Sequence, residues 1–305
     1  MIVAEKSLRH DPVMAAELRA ILPLKPGAVV ADGTLGLGGH ALEFARDIRP
    51  GGVYFATDRD LSMLSAAQSR LSSISDVTWH LHHNHFDELP AILDSEQARP
   101  DAILLDLGLN SAQIDDPERG LSFRETGPLD MRMDRSSGEP ASALLNRLSP
   151  QAIEDALYSF GDERWSRAIA KTVVEKRKTK PLRTTQDLVD CVLESIPPGA
   201  RDKRIHPATR TFQAIRILVN GEMTNLEATM TALANRLNAE GCLAILSYHS
   251  GEDRAAKRSI RDLPKSEFDD LFPKPRVPSE EEIRRNPRSR SAKLRVIRRR
   301  PAPTP

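Results

Sequence analysis

The sequence predicts an α/β protein: an open, mainly parallel sheet interrupted by a helical insertion. Three features predict it. Short apolar runs alternate with helical periodicity between Ala28 and Leu105, the pattern of parallel strands joined by crossover helices. Three of those runs finish at a carboxylate: Asp32, Asp58 and Asp106. The alternation then stops for roughly a hundred residues before a strand-like run returns at Cys242 to Tyr248, which marks an insertion.

Ala28 to Ala31 reads as a buried strand ending at Asp32, followed by a glycine-rich turn from Gly33 to Gly39. Ala41, Phe44, Ala45 and Ile48 then recur at helical spacing. Val53 to Thr57 is the next strand, and Asp60 can cap a helix bearing Leu61, Leu64 and Leu71. Ala102 to Leu105 is a third strand. In the insertion, Ser149 and Pro150 open one helix, and Trp165, Ile169 and Val173 share a face of the next. Thr185 can cap another, with Leu188, Val189, Val192 and Leu193 inside it, and Pro197, Pro198 and Gly199 break the pattern. A longer helix is expected through Met223, Leu226, Met230, Leu233 and Leu237, stopped by Gly241. Pro273 to Pro278 reads as an extended connection, and Leu294 to Ile297 as a last strand on the sheet edge.

With 305 residues, 39% hydrophobic and 29% charged, the chain has an ordinary globular balance. No run is long and apolar enough to span a bilayer, and Met1 to His10 lacks the apolar core of a signal peptide. Cys191 and Cys242 lie far apart, which argues against a disulfide framework. A cytoplasmic protein is expected. The net charge of +1 conceals a polarity: Lys274 to Arg300 holds eleven Lys or Arg against three glutamates. Arg164 to Arg183 holds eight against one. Basic stretches on an otherwise acidic body suit a polyanionic partner, although a solvated face explains a charge run equally simply.

Ligands of open α/β sheets settle at the carboxyl ends of the strands where strand order reverses, so the three acids should ring one crevice. A nicotinamide dinucleotide is the usual guest of a glycine-rich first turn, with Asp58 on a ribose hydroxyl. Its pyrophosphate, however, would meet the carboxylate of Asp32 at the lip of the loop. S-adenosylmethionine carries an ammonium and a sulfonium and no phosphate, so the same acid attracts it. The four histidines His80, His82, His83 and His85 resemble a metal site but fit alternation along a strand end, and no metal is expected.

Beyond these features the chain resembles the family of ribosomal RNA small subunit methyltransferase H, nearly end to end. The likeness is carried by His10-Asp-Pro-Val13, Gly38-Gly39-His40, Asp106-Leu-Gly108 with Ser111 and Gln113, and Arg119-Gly-Leu-Ser-Phe123. It continues in Pro128-Leu-Asp-Met-Arg-Met133, His206-Pro-Ala-Thr-Arg-Thr-Phe-Gln213, Ser247-Tyr-His-Ser250 and Arg290-Ser-Ala-Lys-Leu-Arg295. Departures from the family pattern occur at Asn110, Leu121, Gly221 and Gly251. The resemblance implies a Rossmann-like class I S-adenosylmethionine-dependent methyltransferase with an inserted helical substrate-recognition domain. The expected division is residues 1–112 and 213–305 for the core and 113–212 for the insertion. It implies cofactor contacts at Gly38, Gly39, His40, Asp58, Phe86, Asp106 and Gln113. The implied activity is methylation of N4 of a cytidine in the decoding region of bacterial 16S rRNA, within the small ribosomal subunit, by a monomer or homodimer.

Cytosine N4 is a poor nucleophile because its lone pair is spread into the ring, so a hydrogen-bond acceptor on the amino group would help localise it. Asp32, Asn110 and Ser111 stand at strand ends as candidates, and the sequence does not choose among them. Arg132, Arg210 and His249 are candidate substrate contacts, with a capping role open for His249. Two other classes stay in view: an NAD-dependent oxidoreductase on fold alone, and a non-catalytic rRNA-binding assembly factor.

Overall fold

The computed structural model describes residues 12–301. Two compact units emerge: one holds the chain up to Gly108 and from Asn225 onward, and the other is Leu109–Thr224. The first unit carries seven strands: β1 (Val29–Asp32), β2 (Gly52–Thr57), β3 (Val77–His82), β4 (Ala102–Asp106), β5 (Cys242–Ser247), β6 (Phe268–Asp270) and β7 (Lys293–Arg299). They form a single sheet in the order β3-β2-β1-β4-β5-β7-β6. The first five pair in parallel, and β7 runs antiparallel to both β5 and β6. Strand order reverses between β1 and β4, so their carboxyl ends frame the crevice such sheets offer a ligand.

The helices of the first unit are α1 (Ala15–Ile21), α2 (Gly39–Ile48), α3 (Leu61–Leu71) and α4 (Leu89–Ser95). In the second unit follow α5 (Ser111–Asp115), α6 (Ala141–Arg147), α7 (Pro150–Gly161), α8 (Ser166–Thr179), α9 (Thr185–Ser195) and α10 (Thr209–Asn220). α11 (Leu226–Ala234), α12 (Ser250–Asp262) and α13 (Glu280–Arg285) return to the first. Among the described residues, no helix is long and apolar enough to cross a membrane.

Sequence dictates the elements locally. Asp60 caps α3 by accepting the amides of Ser62 and Met63, and Ser149 caps α7 through the amide of Ala152. In α2 the expected apolar stripe, Ala41, Phe44, Ala45 and Ile48, is buried in the same core cluster as Tyr54, Leu104 and Ala244 from the sheet. Each large side chain so buried contributes about 1.5–3 kcal/mol. A second core cluster serves the other unit, with Leu129, Ile153, Leu157, Ile169, Val173, Leu188 and Phe212 at its centre.

Four expectations need correction. Thr184, one residue before the expected Thr185, caps α9, because its hydroxyl and Asp187 form a reciprocal capping box. The helix expected from Met223 begins only at Leu226, since Gly221 and Asn225 both take left-handed backbone that an α-helix cannot run through. β7 is not the edge strand; β6 pairs on its far side. Residues 213–224, expected with the core, lie in the second unit because α10 is one continuous helix with Phe212, Ala214 and Ile215 in that unit's core.

Candidate functional site

The turn after β1 is fastened to both neighbouring strands. Gly33 N–H donates to the Leu104 carbonyl (3.0 Å) and Leu35 N–H to that of Thr57 (3.1 Å). Gly33 has no room for a side chain: a Cβ there would lie 2.5 Å from Leu105 Cδ2 and 2.9 Å from Phe86 Cβ. Gly38, with φ 74°, is the N-cap of α2, a left-handed position glycine occupies without strain. The first-turn amides of α2, from Gly39 on, lack intrahelical acceptors and form a weakly positive end.

The three acids do converge, each in a different environment. Asp32 is 1% exposed. It accepts from Thr34 N–H at 2.8 Å and from Tyr54 O–H at 3.0 Å. Burial first of all pushes its carboxyl upward, against the pull of the Thr34 amide and the nearby His40. Asp58 takes the Gly36 amide (2.7 Å) on one oxygen and the Asp60 amide (2.8 Å) on the other. Burial raises it to about 6, in spite of those two amides, and the charges of Asp60 and Asp32 add to the rise. Asp106 accepts from Tyr248 O–H at 2.7 Å, and its other oxygen lies 3.4 Å from Nε2 of His40. His40 is buried and neither of its ring nitrogens has a hydrogen-bond partner among the described residues. A buried, unsatisfied imidazole beside a carboxylate is a place where a polar guest is wanted.

These strand ends are also wired together. The Asp106 amide donates to Thr34 Oγ1 (2.7 Å), and that hydroxyl lies 3.2 Å from Asp32 Oδ1. Phe86 is buried beside Gly33, with the His85 ring 4.0 Å from its own. Gly38, Gly39, His40, Asp58, Phe86 and Asp106 therefore belong to one crevice of the first unit. Sequence reasoning missed Thr34, Tyr54 and Tyr248, which hold the acids. Their only advance signal was a polar group within or beside a strand otherwise buried.

Asp32, one of the candidate amine acceptors, is enclosed, with Thr34 on one oxygen and Tyr54 on the other. His249 is the N-cap of α12, its Nδ1 accepting from Gly251 and Glu252, so the capping role open for it is the one the fold uses. In the histidine row, His83 Nε2 contacts the Arg59 carbonyl (3.0 Å), His85 pairs with Asp87 (2.7 Å) and His80 stacks on Phe55, while His82 Nε2 is buried without a hydrogen-bond partner among the described residues. The tail's cations are largely spent inside the first unit. Arg295 and Lys293 pair with Asp253, and Arg298 and Arg300 with Asp269, because β7 is an interior strand.

In the second unit, Gln113 and Asn110 form a capping box at the start of α5, with the Asn110 side chain accepting from Ala112 and Gln113 Oε1 taking the Asn110 amide. Ser111, the first residue of that helix, makes no hydrogen bond through its hydroxyl among the described residues. Arg132 forks onto both oxygens of Asp130, at 2.7 and 3.0 Å. Burial works against ionisation of Asp130, but Arg132 and its amide outweigh it and the carboxyl is lowered. Asn220 clamps this loop from both sides, accepting from Met133 N–H and donating to the Met131 carbonyl, each at 2.8 Å. Arg210 reaches the Asp162 carbonyl at 3.3 Å.

On α8 the basic run divides. Arg177 donates to the Leu145 and Leu148 carbonyls, and Lys176, Lys178 and Lys180 are paired with Glu194, Glu175 and Asp187. Arg164, Arg167 and Lys171 stay exposed without an ion pair among the described residues. Arg167 and Lys171 line a groove of 460 Å³ between α7 and α8, with Pro150, Gln151 and Glu154 on its other wall.

The sequence profile of the MraW methylase family matches residues 7–300. The chain belongs to the MraW methylase family. Among its relatives, ribosomal RNA small subunit methyltransferase H of Pelobacter propionicus is 41% identical over 95% of this chain and 98% of its own length. The protein of the same name from Cutibacterium acnes is 42% identical over 96% and 93%. A crystal structure of a putative rRNA-methylase from Clostridium thermocellum covers 94% of this chain and 95% of its own, at 12% identity and a TM-score of 0.43. That last likeness is too distant to bear on function. Of the motifs that carry the resemblance, His10 and Asp11 lie outside the described residues; Gly38–His40, Asp106–Gly108 and Ser247–Ser250 fall on the acidic crevice, Pro128–Met133 on the clamped loop, His206–Gln213 at the start of α10 and Arg290–Arg295 at the start of β7.

Proposed function

We infer that this protein transfers a methyl group from S-adenosylmethionine to N4 of a cytidine in 16S rRNA of the small ribosomal subunit. The observation that carries the inference is the crevice itself: three strand-end acids around a glycine turn, whose charge favours a cationic guest over a pyrophosphate. The family membership and the names of its relatives support the RNA substrate.

The residues present suit that cofactor. Asp58 can accept from the two ribose hydroxyls, the first-turn amides of α2 can receive the methionine carboxylate, and Asp106 with His40 can hold the ammonium end. When bound, the sulfonium supplies an electrophilic methyl group. The chain's own task is to hold the reacting atoms in line and exclude water. The buried relay from Asp106 through Thr34 to Asp32 fixes the rim, and Tyr54 keeps Asp32 from turning. Among the candidate amine acceptors, Asp32 is enclosed and the Asn110 oxygen is occupied by a cap. Arg164, Arg167 and Lys171 offer an exposed cationic face for phosphate on the second unit.

The test is to add the protein and labelled S-adenosylmethionine to small subunits from cells lacking it, and map the modified nucleoside by mass. The expected result is one methyl per particle, on N4 of a 16S rRNA cytidine. Label on free cytidine at the same rate, or on no RNA at all, would refute the reading.

A further inference from the structure

The second unit holds a column of three rings that runs from its core to solvent. Phe212 is buried. Phe123 meets it edge-on, with centroids 5.1 Å apart and planes at 71°. His206 stacks on Phe123 at 4.6 Å and 26°. Phe123 is half-buried and His206 exposed, so the outermost ring presents open surface among the described residues.

We propose that the Phe123–His206 stack is a platform on which an unpaired base of the RNA substrate lands. The proposal rests on the reading of RNA as substrate and adds a residue-level contact to it. An exposed ring is normally free to turn, but His206 is not: its Nδ1 accepts from the Ala208 amide at 3.2 Å. That bond fixes the plane and, in the neutral ring, places the proton on Nε2. The platform is thus pre-oriented, with a donor at its rim for a base edge. Its sequence surroundings are cationic. Arg124 follows Phe123 and is exposed, and Lys203, three residues before His206, is exposed without an ion pair among the described residues.

A base drawn from its helix loses its stacking neighbours, and so do the bases beside it. Aromatic faces replace that stacking without regard to base identity. Neighbouring Arg and Lys meet the phosphates that come with it. A bare anion site would need no ring, and an apolar ligand would need no cations. The pairing of a fixed exposed ring with cations fits a nucleotide strand.

The full-length protein is titrated with an oligocytidylate octamer and, as a charge control without bases, with inorganic polyphosphate of like length. His206→Ala is expected to weaken octamer binding about ten-fold, the scale of one lost base stack. Polyphosphate binding, thermal midpoint and S-adenosylmethionine affinity are expected to stay unchanged. His206→Phe, which keeps a planar ring but loses the Nδ1 bond and the rim donor, is expected to bind the octamer more tightly than His206→Ala and more weakly than wild type; binding no better than His206→Ala would overturn the platform. Unchanged octamer binding by His206→Ala, or equal losses for octamer and polyphosphate, would overturn the platform while leaving RNA as substrate. Wild-type protein that binds no RNA would overturn both.

Discussion

Tyr248 donates its phenolic hydrogen to Asp106 Oδ1 across 2.7 Å, tying the end of β5 to the end of β4. Burial, then the Asp106 charge, holds the phenol well above its usual range, so Tyr248 remains a donor at any working pH. The acid is thereby oriented with its other oxygen toward His40. Tyr248→Phe keeps the ring beside Gly108 and removes only the donor. Calorimetry should show S-adenosylmethionine affinity falling about ten-fold, the scale of one charge-assisted hydrogen bond, with little change in thermal midpoint. Undiminished affinity would mean that Asp106 does not depend on Tyr248 for its orientation.

Cofactor binding should depend on pH through Asp58. The group rises from 3.8 to about 6 on folding, and ribose hydroxyls need its charged form as acceptor. Affinity should therefore hold at pH 7 and above, and weaken as pH falls through about 6. In the free protein the sign is opposite. The raised group favours the folded state fully below its unfolded value, and that contribution is lost as pH rises through about 6. Asp58→Asn should bind more weakly at pH 8 and show a flat profile from pH 8 to 5, measured by calorimetry at each pH.

Gly33→Ala sets a methyl group against Leu105 and Phe86 at distances no real Cβ keeps. Overpacking of this kind costs about 1–3 kcal/mol. Thermal unfolding should show a drop of several degrees, and cofactor affinity should fall with it because Phe86 must move.

Asn220→Ala would release the loop that carries Asp130 and Arg132. It leaves the Met131 carbonyl and Met133 amide unpaired in a buried setting, at a cost on the order of 2–4 kcal/mol for two such groups. The expected readout is early protease cleavage between Gly127 and Gly138, with cofactor binding intact. Cleavage unchanged from wild type would remove the clamp.

The crevice was legible in the sequence because its ingredients are local. A carboxylate at the end of an apolar run and a glycine turn before a helical stripe identify a strand end and a ligand loop without knowledge of the fold. Asp32, Asp58 and Asp106 were found that way, and so was the capping role of Asp60. What stayed hidden depends on contacts distant in sequence. Nothing near Tyr54 or Tyr248 announces the acid it serves, 22 and 142 residues away. The partners of the basic tail were hidden for the same reason: β7 threads between two strands and brings Asp253 to Arg295 and Asp269 to Arg298. The early start assigned to α11 failed where the left-handed backbone of Asn225 overrode a good apolar period.

The most direct measurement is a calorimetric titration of the purified protein with S-adenosylmethionine and, separately, with NADH. Three acids at the strand ends predict saturable one-site binding of the sulfonium compound, abolished in Asp58→Ala, and no heat from the dinucleotide. Tight NADH binding with no response to S-adenosylmethionine would contradict the assignment of this crevice at its root.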